Sequence, residues 1–329
     1  SDPTTTLLTI KHTHYVMKRF IFSMILLLSG LTLSAAEEPA KLETPTGTLY
    51  GTLAVPQEPS HTVALIIAGS GPTDRNGNSA AGLNTDCYRI LADTLAAHGY
   101  ASLRYDKRAI GESASACESE EQLTFDTYID DAVAWANKLV ADERFDRVVL
   151  IGHSEGALIA LVAAQRSDAV CGVISLAGAG EPIDAVLMRQ ISAQSQEAAE
   201  ACRPIVEKLK AGERVDEVPF YLQSLFRPSV QPFLISNMKY DPAQEASKLG
   251  KPLMIIQGTT DMQVTVDDAR KLAAAAPKAD LKIIERMNHV LKCCDTMSQQ
   301  AQMFVYVNPT IALAPGLTEA IIEFFDKVD

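Results

Sequence analysis

The chain has 329 residues, 47% of them hydrophobic, and a formal net charge of −12 at pH 7. A chain of this length and composition can fold one large α/β domain with an insertion. Its acidic charge makes nucleic acids and anionic membrane surfaces poor partners, so the expected ligands are small and neutral or cationic.

The first 36 residues are predicted to be an upstream extension followed by an export signal. Residues 17–19 (Met-Lys-Arg) give a positively charged start, residues 20–28 are apolar, and residues 34–36 (Ser-Ala-Ala) offer a cleavage site. The apolar run is too short, and too soon interrupted at residues 29–30, to favour a permanent membrane span, and an uncleaved anchor is the alternative. We therefore expect an exported protein, periplasmic or extracellular, with no stable span after cleavage and one folded domain over residues 37–329.

Short apolar strands alternate with helical patterns along that domain, after a hairpin-like opening at residues 47–55. The strands are predicted at residues 63–68, 100–105, 147–151, 171–176, 252–257 and 281–285, and the helices at 85–98, 125–140, 157–164, 266–275 and 317–328. Strands that are apolar throughout and alternate with helices predict an α/β fold with a mostly parallel central sheet, covered by helices on both faces.

Residues 181–250 interrupt this alternation. Residues 183–211 have a helical pattern rich in Gln, Glu, Ala and Lys, whereas the rest of the segment is more aromatic and apolar. A segment inserted between two strands is expected to lie over the strand ends as a helical lid. A helical decoration packed beside the sheet is the alternative.

A Gly-X-Ser-X-Gly pentapeptide joins the strand at 147–151 to a helix of small residues. Ser154 is its serine, and Gly152 and Gly156 flank it. A serine on a tight strand-to-helix turn projects its Oγ above the sheet, and the flanking glycines are needed where any Cβ would collide. Ser154 is therefore the candidate nucleophile, with an ordinary turn serine as the alternative.

A serine nucleophile needs a base, and elimination among the histidines leaves His289. It follows the strand at 281–285, at a carboxyl end where reacting groups gather in open α/β sheets. His153 lies inside the pentapeptide, and we expect its side chain to point away from the serine's neighbourhood. The acid that would orient His289 is predicted to be Asp261, the first carboxylate after the strand at 252–257. The rivals, Asp267 and Asp268, open the next helix and fit its dipole better.

The order serine, aspartate, histidine, each after its own strand, resembles the α/β-hydrolase superfamily. Residues 69–78 (GSGPTDRNGN) and 104–113 (RYDKRAIGES) are similar to its exported bacterial carboxylesterase branch. The resemblance implies an oxyanion hole made by the N–H of Glu155 and an N–H of Ser70 or Gly71. Asp74, Arg75 and Asn76 either shape the site or form an internal salt bridge with Arg104, Asp106 or Arg108, and we favour the salt bridge.

The implied function is cleavage of small carboxylic esters through an acyl-enzyme. An apolar acyl or alcohol pocket is predicted from the insertion residues Phe220, Tyr221, Leu225 and Phe226. A serine peptidase or amidase would use the same three residues, and a non-catalytic binding protein on the same fold is a third possibility. No cofactor is assigned. No metal is assigned either, because the six cysteines and the histidines lack the spacing of a zinc site.

Overall fold

An eight-stranded sheet forms the centre of the computed structural model, which describes residues 35–329. The strand order is β1-β2-β6-β3-β7-β8-β9-β10. Pairing is antiparallel for β1 with β2 and for β2 with β6, and parallel from β6 to β10. The strands are β1 (Ala36–Thr44), β2 (Gly47–Val55), β3 (Thr62–Ile67), β6 (Ala101–Tyr105), β7 (Arg147–His153), β8 (Val170–Leu176), β9 (Leu253–Gly258) and β10 (Asp280–Ile284), with β4 (Asn78–Ser79) and β5 (Leu83–Asn84) forming a separate small pair.

Eleven α-helices accompany these strands in residues 35–329. They are α1 (Cys87–Ala97), α2 (Phe125–Val140), α3 (Glu155–Arg166), α4 (Ile183–Gln194), α5 (Gln196–Lys210), α6 (Gln223–Phe226), α7 (Gln231–Asn237), α8 (Pro242–Lys248), α9 (Val266–Ala275), α10 (Gln299–Tyr306) and α11 (Leu317–Val328). Four short 3-10 helices lie at Gly111–Ala116, Glu120–Gln122, Phe220–Leu222 and Pro228–Val230.

The central strands are buried on both faces because their side chains alternate between two cores. Along β7, Val148 and Leu150 pack with α2 and α3, whereas Val149 and Ile151 pack with α1 and α11 on the opposite face. Successive side chains of a strand point to opposite faces, and here both sets are apolar. This is the pattern of a strand covered on both sides. The predicted mostly parallel sheet is confirmed, with an antiparallel hairpin, β1 and β2, at one edge.

The insertion at residues 181–250 has an apolar core of its own. It contains α4 to α8, and side chains such as Cys202, Leu209 and Phe226 pack together within it. Ion pairs tie it to the loop that precedes α2, where Arg227 binds Glu120. The segment is thus a compact helical unit held against the loops at one end of the sheet.

Among residues 35–329, no helix combines the length and the apolar character that a membrane span requires. The predicted export signal lies outside the described residues, except for the proposed cleavage position. Ala36 is the first residue of β1, where it pairs with Val55.

Candidate active site

Ser154 occupies a strained turn between β7 and α3. Its φ of 54° and ψ of −117° are unusual for a residue with a side chain, and such backbone strain concentrates at functional sites. A hydrogen bond of 2.8 Å from the Ser154 N–H to the Leu176 carbonyl fixes the turn. A Cβ on Gly152 would lie 2.1 Å from the Gly156 carbonyl oxygen, and one on Gly156 would lie 2.3 Å from that of Ile67. Both glycines are therefore required by close backbone packing.

His289 and Asp261 form a buried hydrogen-bonded pair. The Nδ1 of His289 lies 2.8 Å from Oδ2 of Asp261. Because an ionised carboxylate only accepts, Nδ1 carries the proton and Nε2 is left as the basic nitrogen. The other carboxylate oxygen accepts the N–H groups of Gln263 at 2.7 Å and Val264 at 3.0 Å. These contacts hold Asp261 in place and leave it able to orient the imidazole.

The pKa of Asp261 lies below its usual value even though burial opposes ionisation. The charge and hydrogen bond of His289, with the two backbone N–H groups, outweigh the desolvation. The carboxylate is therefore charged at neutral pH. It can stabilise an imidazolium at His289.

The rival acids take the helix-terminal role predicted for them. Asp268 completes a capping box with Thr265 at the start of α9 and accepts the N–H of Gly180. Asp267 is exposed and pairs with Arg270. Neither of these carboxylates contacts His289.

The expectation for His153 was wrong, since its side chain lies against His289. The two ring centroids are 4.9 Å apart, and Nε2 of His153 donates to the His289 carbonyl oxygen at 2.7 Å. Strand β7 continues through His153, so this side chain falls on the same face as Val149 and Ile151. The alternation of β7 was the sequence signal that could have placed it.

A directed chain of hydrogen bonds passes through His153. Because its Nε2 donates, its Nδ1 accepts, and the Tyr88 hydroxyl donates to it at 2.7 Å. The Tyr88 oxygen in turn accepts the Gly69 N–H at 3.1 Å. Burial, helped by nearby His289, lowers the pKa of His153 to about 3, so the ring stays neutral. This series of hydrogen bonds links the loop after β3 to the loop that carries His289.

The loop after β3 presents free backbone donors beside Ser154. Within residues 35–329, the N–H groups of Ser70 and Gly71 have no acceptor, whereas that of Gly69 is taken by Tyr88. Glu155 is the first residue of α3, where a helix leaves its N–H groups without intrahelical partners. Ser70 and Glu155 line the same cavity as Ser154, whereas Gly71 lines a neighbouring one.

Lys107 is a buried residue of this region that sequence analysis missed. Its Nζ donates to the Gly69 carbonyl at 2.6 Å and contacts the Glu155 carboxylate at 3.3 Å. It also lies 4.9 Å from the centre of the Tyr128 ring. Lys107 therefore connects the β3 loop with the first turn of α3. Its place directly after β6, at a strand's carboxyl end, was the available signal.

Two cavities meet at Ser154. The smaller, about 70 Å³, is also lined by His289, His153 and Tyr88. The larger, about 270 Å³, is lined by Ser70, Ser154 and Glu155 on one side and by apolar side chains of α4 and α7 on the other. The apolar lining comes mainly from Ile183, Val186, Leu187 and Leu234.

The comparisons with known proteins agree with this fold. The family model for serine aminopeptidases, S33, matches residues 81–293. The chain belongs to this family. It is also 27% identical over 258 residues to esterase EstD of Thermotoga maritima, and the match covers 74% of this chain but only 58% of that relative.

Solved structures show the same architecture. The Pyrococcus furiosus esterase Pf2001 superposes with a TM-score of 0.59 at 19% identity, over 90% of this chain and 92% of that one. Est1E of Butyrivibrio proteoclasticus, solved with ferulic acid bound, gives 0.58 at 16% identity, over 88% and 98%. The predicted α/β-hydrolase fold, similar to that of carboxylesterases, is confirmed.

For this S33 family member, the prediction placed the substrate pocket in the wrong half of the insertion. Phe220 and Tyr221 are 95% and 66% exposed, Leu225 is exposed, and Phe226 is buried in the insertion's own core. None of the four lines the cavity beside Ser154. Aromatic composition does not reveal which helix faces the sheet, and α4, the less aromatic half, supplies most of the apolar lining.

The other charged residues and the cysteines that were considered in the sequence have the following places in the structure. Arg75 pairs with Asp106, as favoured from the sequence, whereas Asn76 only accepts a hydrogen bond from Arg104 and Asp74 accepts the backbone N–H groups of Asn76 and Asn78. The cysteines are unpaired in the described chain. No group of histidine, cysteine and acidic side chains in residues 35–329 could hold a metal ion.

Proposed function

We propose that this protein is an exported serine esterase that cleaves small carboxylic esters through an acyl-enzyme. The observation that carries the proposal is that Ser154, in its strained turn, lines one cavity with His289, whose imidazole is hydrogen-bonded to Asp261. The esterase relative and the esterase-like fold support the ester as the substrate class. The predicted signal at residues 17–36 supports export to the periplasm or the extracellular space.

The first half of the reaction acylates the serine. The Oγ of Ser154 attacks the ester carbonyl carbon while its proton passes to Nε2 of His289, and Asp261 stabilises the imidazolium. The N–H of Glu155, with that of Ser70 or Gly71, stabilises the oxyanion. When the tetrahedral intermediate collapses, His289 gives the proton to the leaving alkoxide oxygen, and the bond from the carbonyl carbon to that oxygen breaks.

The second half returns the enzyme to its starting state. Water attacks the acyl carbon, and its proton passes to Nε2 of His289. The second tetrahedral intermediate then releases the carboxylic acid, and the proton returns to Oγ of Ser154. The neutral, buried His153 takes no proton in either half.

Fluorophosphonate labelling combined with ester hydrolysis tests the proposal. The wild-type protein should react with the probe at one serine and hydrolyse p-nitrophenyl butyrate, and Ser154→Ala should lose both properties while keeping its circular dichroism spectrum. The matched control is Ser224→Ala, at an exposed serine of α6, and it should behave as wild type. Ser154→Ala that still labels or still hydrolyses the ester contradicts the proposal.

A serine aminopeptidase is the second candidate, because the family model carries that description. An aminopeptidase must bind the substrate's ammonium group, for which a free carboxylate near the nucleophile is suited. Two carboxylates line the larger cavity, but Glu155 is paired with Lys107 and Glu181 with Arg189 and Lys271. This pairing favours uncharged esters.

Matched substrates separate these two functions. The enzyme should hydrolyse the p-nitrophenyl ester of an acyl group and leave the p-nitroanilide of the same group, or of an unblocked amino acid, largely intact. Faster turnover of aminoacyl anilides would assign the peptidase function. A non-catalytic binding protein would not react with the fluorophosphonate probe.

A further inference from the structure

Lys107 is a buried charged residue that the proposed mechanism does not use. Its side chain is 2% exposed, and the residue lies directly after β6. The Nζ donates to the Gly69 carbonyl at 2.6 Å and contacts Oε1 of Glu155 at 3.3 Å. A buried ion pair is often no more stable than apolar side chains of the same volume. Stability alone therefore does not account for a lysine at this position.

The backbone at Lys107 is held by the residues on either side of it. The carboxylate of Asp106 accepts the Arg75 N–H at 2.8 Å and pairs with the Arg75 guanidinium. The guanidinium of Arg108 forms a buried ion pair with Asp131. The ammonium group of Lys107 is thus presented from an anchored segment, so it can hold in place the groups that it binds.

The carbonyl that Lys107 binds belongs to the same peptide unit as the Ser70 N–H. The peptide that joins Gly69 to Ser70 is trans, and the C=O and N–H bonds of a trans peptide are coplanar and point in opposite directions. By holding the carbonyl, the lysine therefore fixes the direction of the N–H. A charge-assisted hydrogen bond at the carbonyl also polarises the peptide, which makes its N–H a stronger donor.

The cavities around the loop after β3 separate Ser70 from Gly71. Ser70 lines both of the cavities that Ser154 lines. Lys107 and Gly71 line a neighbouring cavity of about 540 Å³ and neither of the two at Ser154. A Cβ built on Gly69 would lie 3.2 Å from Cβ of Ser154, so the peptide begins in contact with the nucleophile. Because its carbonyl points to Lys107, its N–H points away from that lysine.

We infer that Lys107 is a positioning residue for the oxyanion hole, and that Ser70 rather than Gly71 supplies the N–H from the loop after β3. The same ammonium group contacts the side chain of Glu155, whose N–H is the other proposed donor. Lys107 thus connects both donors, and it acts through the backbone and not on the substrate. The inference rests on the proposed esterase function, because the oxyanion forms when Ser154 attacks a carbonyl.

Lys107→Met tests this role, because it removes the ammonium group and keeps most of the side chain's length. The Ser70 N–H then loses its fixed direction, so kcat for p-nitrophenyl butyrate should fall by roughly 10- to 100-fold with KM little changed. The matched control is Lys251→Met. The Nζ of Lys251 also donates to two backbone carbonyls, those of Ala164 at 2.8 Å and Ser167 at 2.7 Å, but at the opposite end of α3. This control should keep the wild-type kcat.

An alkyl trifluoromethyl ketone gives a readout that a loss of stability would not change. Oγ of Ser154 adds to the ketone carbon, the π electrons of the C=O bond pass to the oxygen to form the oxyanion, and the serine proton passes to Nε2 of His289. The adduct carries the oxyanion, whereas the bound ester does not. The inhibition constant of the ketone should therefore rise by about the factor by which kcat falls, while KM stays near its wild-type value.

A second variant keeps the test decisive if Lys107→Met does not fold because the Glu155 carboxylate has lost its partner. The double variant Lys107→Met/Glu155→Gln removes both charges and keeps the backbone N–H at position 155. It should show the same fall in kcat, since the Gly69 carbonyl is still without its ammonium partner. A kcat within threefold of wild type for the folded variant overturns the inference, and so does an equal fall in kcat for Lys251→Met.

The failure of this inference can be distinguished from failure of the esterase proposal. If the wild type hydrolyses esters through Ser154 while Lys107→Met keeps its kcat, only the inference is wrong. If no ester is hydrolysed, the esterase proposal is wrong, and the affinity of the ketone adduct on Ser154, measured by ¹⁹F NMR, still tests the role of Lys107. Equal affinities for wild type and Lys107→Met, or the absence of any adduct, would then overturn the inference.

Discussion

The Nε2 of His153 donates a hydrogen bond to the carbonyl oxygen of His289 across 2.7 Å. This contact joins the residue directly before Ser154 to the backbone of the proposed base. Through Tyr88 it continues to Gly69, at the start of the loop that carries the proposed oxyanion donors. These hydrogen bonds connect the loop after β3, the turn at Ser154 and the loop that carries His289, which come from distant parts of the sequence.

Tyr88→Phe tests whether this chain positions the catalytic groups. The variant leaves the Gly69 N–H and His153 Nδ1 without their partner, so both loops should loosen. We expect kcat to fall by roughly 10- to 100-fold with KM little changed, because small displacements of reacting groups are costly. Steady-state kinetics on p-nitrophenyl butyrate measures both constants.

The matched control for that variant is Tyr100→Phe. Tyr100 belongs to the same core, but its hydroxyl binds Asp326 on α11. It should lose comparable stability and retain the wild-type kcat. Equal effects of the two variants on kcat would show that Tyr88 acts only through general stability.

Asp261→Asn should lower kcat by about 10³- to 10⁴-fold without unfolding the protein. An amide in place of the carboxylate no longer enforces the Nδ1–H tautomer of His289 and no longer stabilises an imidazolium. Asp268→Asn is the control, since Asp268 caps α9 and does not contact His289. This control should reduce the free energy of unfolding by about 1 kcal/mol, which is measured as a lower melting temperature. It should keep most of the activity. An Asp261→Asn variant with near-wild-type kcat would remove Asp261 from the mechanism.

Burial of a neutral His153 predicts a specific acid sensitivity. The pKa of this side chain is about 3 in the folded protein, below the value of about 6.5 expected in the unfolded chain. Between these values the unfolded state binds the extra proton, so the free energy of unfolding falls as the pH falls from 6.5 toward 3. The contribution to the slope is at most about 1.4 kcal/mol per pH unit.

His153→Gln removes this titration and keeps a side chain able to form hydrogen bonds. Its free energy of unfolding, measured in urea from pH 8 to pH 4, should fall less steeply below pH 6.5 than that of the wild type. Both proteins keep Asp261, whose contribution is present above the unfolded pKa and is lost only as the pH falls through its lowered folded value. Parallel curves for the two proteins would contradict a buried neutral His153.

Local patterns were sufficient to predict much of this molecule. The helices at Phe125–Val140, Val266–Ala275 and Leu317–Val328 have the predicted bounds, because each combines an apolar stripe with clear end signals. The pairing of Asp261 with His289 also followed from local information, since each residue lies in the loop that follows its strand. In a largely parallel sheet, those strand ends meet at one edge.

The errors concern positions that depend on how distant segments pack. The contact of His153 with His289 exists only because the loop after β10 folds back over the end of β7. The cavity lining depends on which side of the insertion faces the sheet, which aromatic content does not encode. Helix α10 was missed although Ser298, its N-cap, accepts the Ala301 N–H, and α8 was missed although Asp241 and Pro242 give a regular helix start.

The corrected cavity lining predicts how acyl-chain length is limited. Val186 on α4 is buried and lines the cavity of about 270 Å³ beside Ser154. Val186→Phe fills part of that space, so kcat/KM for p-nitrophenyl hexanoate should fall by roughly 10-fold or more relative to the acetate. Phe220→Ala, at a 95% exposed position, should leave the chain-length profile of acetate to octanoate esters unchanged. If Phe220→Ala altered the chain-length profile and Val186→Phe did not, the acyl pocket would lie in the aromatic half of the insertion, and the corrected lining would be wrong.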